Sequence, residues 1–224
     1  VTAARLVVWR HGRTPWNVEN RFQGQADIGL DDVGRGQAAR AAVALAALEP
    51  AVLWSSDLSR ARDTAGELAD LTGLPVTTDR RLREIHVGSW EGLLGSDVER
   101  VDPEASARLR AGEDVRRSAT GESPREVGVR VAAALRELAE AAPDGSTVVA
   151  ASHGLAGRAG VAELVGLPPE HWRLLGGLTN CAWVSVDRHR SGRYWRIEQY
   201  NVTAPDPTDP LEERADFATK ATAG

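Results

Sequence analysis

Cysteine is almost missing. Cys181 stands alone in 224 residues, so no internal disulfide can form and a reduced, cytoplasmic setting is expected. It lies in the apolar run CAWVSV, where a solitary thiol reads as a small core residue and not as a nucleophile. No apolar run approaches the roughly 18 residues that a membrane helix needs. The opening stretch VTAARLVVW is too short, and lacks a cleavage pattern, for a signal peptide. Methionine is absent and lysine is reduced to Lys220; with arginine carrying the rest of the positive charge and alanine abundant, this is the usage of a GC-rich genome and says nothing of function. An overall basic excess is missing as well. The 27 Lys and Arg against 32 Asp and Glu leave a formal charge of -5, which argues against nucleic acid or an anionic membrane as partner and confines any anion site to a local pocket. There is no internal repeat.

What is present is an alternation of short apolar runs with helical patterns. Leu6 to Trp9 read as a buried strand, followed by Thr14-Pro15, a helix cap with proline at the first helical position. The Gly- and Asp-rich loop RFQGQADIGL leads to an Ala-rich helix over 32–48, closed by Pro50. AVLWSS is the next strand; its exit Ser55-Ser56-Asp57 reads as the N-cap of a helix to Thr72, with Gly73 as terminator. LPVTTD is a further strand. Residues 93–121 are charged and irregular, and read as a mobile insertion of short helices. Ser123 to Glu126 make a capping box for a helix whose core face is Val127, Val131, Leu135 and Leu138. TVVAASHG repeats the opening pattern, a helix over LAGRAGVAELVG follows, and CAWVSVD and RYWRIEQYN read as an antiparallel hairpin. This order predicts an α/β fold, a three-layer α/β/α sandwich with a mostly parallel central sheet and an antiparallel edge hairpin.

Ligands of such sheets bind at the carboxyl ends of the strands, and that rule gathers Arg10, His11, Ser55 to Arg60 and His153 at one rim. Two histidines could be metal ligands, but no HExxH or similar cluster accompanies them, and an adjacent guanidinium repels a divalent cation. The same surroundings suit an anion. Arg10 and Arg60 each offer forked N–H donors to phosphate oxygens, and Arg60 falls in the first turn of a helix whose positive end adds to the field. His86, His171 and His189 have no comparable context and read as ordinary surface or half-buried residues.

Arg10-His11-Gly12 with Thr14 and Asn17, Ser55 to Leu58 leading to Arg60-Ala61 and Thr64, Leu82-Arg83-Glu84 with Gly88 to Gly92, Gly121-Glu122-Ser123, and Ser152-His153-Gly154 occur in that order. Together they resemble the histidine phosphatase superfamily, with its phosphoglycerate mutase-like fold, from about residue 5 to residue 185. RFQGQAD, GGLTNCAW and WRIEQYN are similar to its actinobacterial glucosyl-3-phosphoglycerate phosphatase branch.

The resemblance implies a metal-independent phosphatase with no cofactor, acting on a small phosphomonoester. His11 would be the nucleophile that forms a phosphohistidine, and Glu84 the acid and later the base. Arg10, Arg60 and His153 would hold the phosphoryl oxygens, with hydrogen bonds from Asn17 and Thr14. Gly12 and Gly154 would let the backbone approach the ligand. Gln23, Gly24 and Leu155 would line the substrate site, with Trp90 beside it. A mutase is the alternative within the fold, disfavoured by the short interval from Glu84 to His153; a catalytically idle phospho-ligand binder is the alternative outside enzymes, disfavoured because all five reacting residues are kept. Residues 1–203 are expected to form the catalytic domain, with 93–121 as a lid-like insertion, and 204–224 a flexible tail. The C-terminal hairpin offers an edge strand that a homodimer could share.

Overall fold

The computed structural model describes residues 2–205; the expected tail therefore lies outside the described residues except for Ala204 and Pro205. Six strands, β1 (Arg5–Arg10), β2 (Pro50–Ser55), β3 (Val76–Thr78), β4 (Thr147–Ser152), β5 (Trp183–Arg188) and β6 (Trp195–Val202), form one sheet in the order β3-β2-β4-β1-β5-β6. The first four in that order run parallel, while β5 is antiparallel to β1 and β6 to β5. The helices are α1 (Pro15–Val18), α2 (Asp32–Ala46), α3 (Ser59–Thr72), α4 (Gly95–Val101), α5 (Pro103–Ala111), α6 (Pro124–Ala141) and α7 (Gly154–Leu164). Among the described residues, none is long and apolar enough to cross a membrane.

The period-2 geometry of a strand explains why β1 and β4 are apolar on both sides. Leu6, Val8, Val148 and Ala150 pack with the α6 residues Val127, Val131, Leu135 and Leu138. Val7, Trp9, Val149 and Ala151 face the other way, toward Ala38, Ala42 and Leu45 of α2 and Ala65 and Leu68 of α3. Three layers follow, as the sequence pattern implies.

Local readings changed in three places. The α3 helix starts at Ser59 with Leu58 as N-cap and no side-chain cap. Ser56 and Asp57 are diverted: Asp57 makes a two-pronged ion pair with Arg83, at 2.6 and 2.5 Å, and Ser56 turns to His153. Leu82-Arg83-Glu84, strand-like in its sequence, is not a strand; a 3₁₀ turn over Arg80–Leu82 precedes Glu84, and side chains hold the carbonyls around it. Residues 93–121 do contain the short helices α4 and α5, yet they bury Val98, Ser106, Val115 and Ser118. Their start is stitched to the loop after α1 through Phe22 N–H to Leu93 O at 2.9 Å and Gly92 N–H to Phe22 O at 2.8 Å.

Candidate active site

In the register of the sheet Arg10 lies opposite Ser152, and Ser55 opposite Ala151. The residues that follow, His11, His153 and Ser56, therefore emerge side by side at the carboxyl rim. The His11 and His153 rings meet edge-on, with centroids 5.1 Å apart. His11 is buried, and its Nδ1 lies 2.6 Å from the Gly12 carbonyl oxygen. Burial, then the Arg60 and Arg10 guanidinium charges, hold its basicity well below that of an ordinary imidazole, with only the Gly12 carbonyl pulling the other way. A neutral ring carries one N–H, and a carbonyl can only accept; the proton is on Nδ1, and Nε2 keeps a lone pair.

The backbone of His11 is fixed as firmly as its ring. Its carbonyl accepts from Cys181 N–H at 3.1 Å and from Asn180 Nδ2 at 3.2 Å. Gly12 N–H donates to Thr64 Oγ1 at 3.1 Å. A Cβ on Gly12 would fall 2.3 Å from the Gly34 carbonyl oxygen, so glycine is needed there for the close approach of α2. A Cβ on Gly154 would stand 3.3 Å from Arg10 Nε, so that glycine gives room to the guanidinium. Neither glycine lines the cavity.

Around His11 lies a cup of cationic groups. Arg60 is fully buried and donates through its two terminal nitrogens to Ala26 O at 2.7 Å and Gly24 O at 2.9 Å. Gly24 can turn its carbonyl inward because its φ is +52°. Burial, opposed by Glu84 and Asp27 and reinforced by Arg10, lowers the Arg60 pKa to about 10. Arg10 donates to the Leu178 carbonyl. His153 sets Nε2 2.9 Å from Ser56 Oγ, and burial, followed by Arg60, His11, Arg130 and Arg10, pushes its pKa well down. Arg10 Nε, Arg60 Nε and His153 Nδ1 are the buried side-chain nitrogens left without a partner among the described residues. Native interiors rarely leave such atoms unpaired, each omission costing about 1–3 kcal/mol. The two on the guanidinium groups of Arg10 and Arg60, residues that line one cavity, call for an oxyanion.

The cavity above them, about 250 Å³, is lined by Arg10, His11, Asn17, Gln23, Gly24 and Arg60, with Glu84 and Leu155 in its wall. His153 and Thr14 lie behind this lining, fully buried. Asn17 Oδ1 takes hydrogen bonds from Thr14 N–H, from Thr14 Oγ1 and from Asn180 Nδ2, each at 3.1 Å, which turns the Asn17 amide nitrogen toward the cavity as a donor. The Thr14 hydroxyl is engaged with Asn17 and with Gln23 Oε1 at 3.0 Å; it braces the loop instead of facing a ligand. The Glu84 carboxylate rests on the first turn of α7, with Oε1 accepting from Ala156 N–H at 2.9 Å and Oε2 from Leu155 N–H at 3.1 Å.

Sequence reasoning overlooked Phe22, Ile85, Val87, Arg21 and Arg117 in the lining. Trp90, expected at the pocket, is buried in the core beside Phe22 instead. Arg117 is the consequential omission. Burial, opposed by Asp114 and reinforced by Arg158, lowers its pKa to about 10, so a guanidinium is held partly desolvated at the cavity. The paired Arg116-Arg117 ahead of Gly121 was the available signal, masked by the charge of the whole insertion.

The two buried imidazoles make a stability prediction. Their folded pKa values are depressed, whereas in the unfolded chain both protonate near pH 6.5. Below that pH the unfolded state binds more protons, so stability falls as pH falls, by about 1.4 kcal/mol per pH unit for each histidine. Urea denaturation between pH 7 and 5.5 should show this decline, and His153→Gln should remove about half of its slope. A wild-type protein equally stable across that range would contradict it.

The sequence profile of the histidine phosphatase superfamily (branch 1) matches residues 6–203. A glucosyl-3-phosphoglycerate phosphatase of Mycolicibacterium vanbaalenii is 40% identical over 223 residues, which is 92% of this chain and 98% of that protein. A probable phosphoglycerate mutase of Yersinia enterocolitica is 37% identical over 210 residues, 91% of this chain and 95% of its own. A solved structure of mycobacterial glucosyl-3-phosphoglycerate phosphatase with VO3 superposes with a TM-score of 0.83 at 38% identity, covering 89% of this chain and 100% of that one.

Proposed function

The chain belongs to the histidine phosphatase superfamily (branch 1), and from that premise we propose that it is a metal-independent phosphatase that cleaves glucosyl-3-phosphoglycerate or a close phosphoglycerate derivative through a phosphohistidine on His11. The observation that carries this reading is a neutral nucleophilic imidazole among three unpartnered buried nitrogens.

The steps follow from the groups in place. The Nε2 lone pair of His11 attacks phosphorus, the bond from phosphorus to the ester oxygen breaks, and the Glu84 carboxyl hands its proton to the departing alkoxide. Arg10, Arg60 and the Asn17 amide hold the phosphoryl oxygens as their charge redistributes, with His153 beneath. Water, deprotonated by the Glu84 carboxylate, then breaks the phosphorus–nitrogen bond, which releases phosphate and restores His11. The cup supplies its positive charge from guanidinium groups, so no step calls for a metal ion.

Arg117 supports the substrate class, because a forked guanidinium at the cavity suits a carboxylate such as that of a glycerate moiety. Residues 93–121, which carry it, act as the lid of a catalytic domain formed by residues 1–203. The protein works in the cytoplasm, a setting that suits its one cysteine, whose thiol burial pushes up to about 12. The β6 edge remains the surface through which two copies would pair.

A panel of phosphorylated metabolites tests the reading. Glucosyl-3-phosphoglycerate should give the highest kcat/KM, and Arg117→Ala should raise its KM by about 10- to 100-fold, the value of a charge-assisted hydrogen bond, while p-nitrophenyl phosphate, which has no carboxylate, changes little. A panel in which esters without a carboxylate are preferred would refute it. With 3-phosphoglycerate, isomerisation faster than phosphate release would favour the mutase.

A further inference from the structure

Glu84 is useful as an acid only if its carboxyl stands at the ester oxygen, yet it belongs to a segment with no regular structure beyond two 3₁₀ turns, Arg80–Leu82 and Gly88–Trp90. Such a backbone lacks the ladder of hydrogen bonds that fixes a strand or helix. Here α6 supplies a substitute.

Arg130, on that helix, uses every N–H of its guanidinium. Nη1 donates to Arg81 O at 2.8 Å and to Arg83 O at 2.7 Å. Nη2 donates to Glu84 O and to Glu122 Oε2, at 2.9 and 2.8 Å, and Nε donates to Glu122 Oε1 at 2.8 Å. Glu122 in turn accepts the His86 N–H at 2.8 Å. Burial alone would raise the Glu122 carboxyl; its bonds to Arg130 and to His86 outweigh that and hold it below its usual range. One ion pair thus grips the backbone on both sides of Glu84.

We infer that Arg130 and Glu122 are positioning residues for the acid, a planar fork on α6 that fixes where the Glu84 carboxyl meets the leaving oxygen. The inference rests on Glu84 acting as that acid. Lysine cannot replace this arginine, because an ammonium has three donors and no fixed plane with which to span three carbonyls and a carboxylate.

The test is leaving-group dependence. Departure of an alkoxide needs the Glu84 proton, whereas p-nitrophenolate leaves without it, and both esters form the same phosphohistidine. For each variant kcat/KM is measured with p-nitrophenyl phosphate and with the alkyl ester best turned over in the panel. Both rates come from one sample, so a partly folded preparation cancels in their ratio. Arg130→Lys should lower kcat/KM for the alkyl ester by about 100-fold, the cost of misplacing a reacting group by an ångström, and for the aryl ester by only a few-fold. Glu122→Gln, of the same volume, should act in the same direction by about tenfold. Glu84→Gln is the reference and should show the largest alkyl-specific loss. Equal losses on both esters in the Arg130 and Glu122 variants, with Glu84→Gln still alkyl-selective, would overturn the positioning role alone. Equal losses in Glu84→Gln would remove the acid role and the inference with it.

Discussion

His11→Ala turnover is expected to fall to background, on the order of 10⁵- to 10⁶-fold below wild type, as when a covalent catalyst loses its nucleophile. Phosphorus would have to be attacked directly by water, in a cavity arranged to present an imidazole and not a hydroxide. Binding should survive the change. Arg10 and Arg60 are anchored by the carbonyls of Leu178, Ala26 and Gly24 and do not depend on the ring, so inorganic phosphate should still bind within a few-fold of its wild-type affinity by calorimetry. Loss of turnover with retained binding assigns the imidazole to chemistry. If the His11→Ala protein kept a tenth of the wild-type rate, another group would be the nucleophile.

Arg60→Met should cost about 10³-fold in kcat/KM, in the range seen when a preorganised donor to a developing anion is removed. Three losses coincide. One forked donor leaves the cup, the Gly24 and Ala26 carbonyls lose their partner, and His11 loses the larger of its two neighbouring cationic charges. The last has a definite sign. With Arg60 gone the imidazolium is less disfavoured, so His11 protonates at higher pH, and the acid limb of kcat/KM should move upward relative to wild type. Arg60→Lys should keep the acid limb near its wild-type position, because the charge remains, without restoring the full rate, because the fork does not. An unmoved limb in Arg60→Met would mean that burial alone keeps the nucleophile neutral.

How much of this was legible in the sequence depended on the range of the interaction. The strands and the two core faces of β1 were readable because Leu6 to Trp9 alternate between two apolar layers, and periodicity is local information. Arg10, His11, Arg60 and His153 were readable as one site because each follows or starts an element at the rim to which a parallel sheet brings its strand ends. The Leu58 cap was not readable: Ser56 and Asp57 are good capping residues, and what diverts them, His153 and Arg83, stands far along the chain. Thr14 likewise has a side chain suited to phosphate, but its hydroxyl is engaged by Asn17 and by Gln23. The Arg130 fork was hidden for the same reason. A charged residue on a helix reads as solvated until the carbonyls it meets, some 46 to 49 positions away, are brought to it.

Rapid acid-free quenching of the enzyme during turnover of a phosphorus-labelled ester, followed by peptide mass spectrometry, measures the central step itself. Label held through base and released by acid, on the peptide that contains His11 and on its ring, is the predicted result. Steady turnover with no label on that ring, or with label on another residue, would contradict the account.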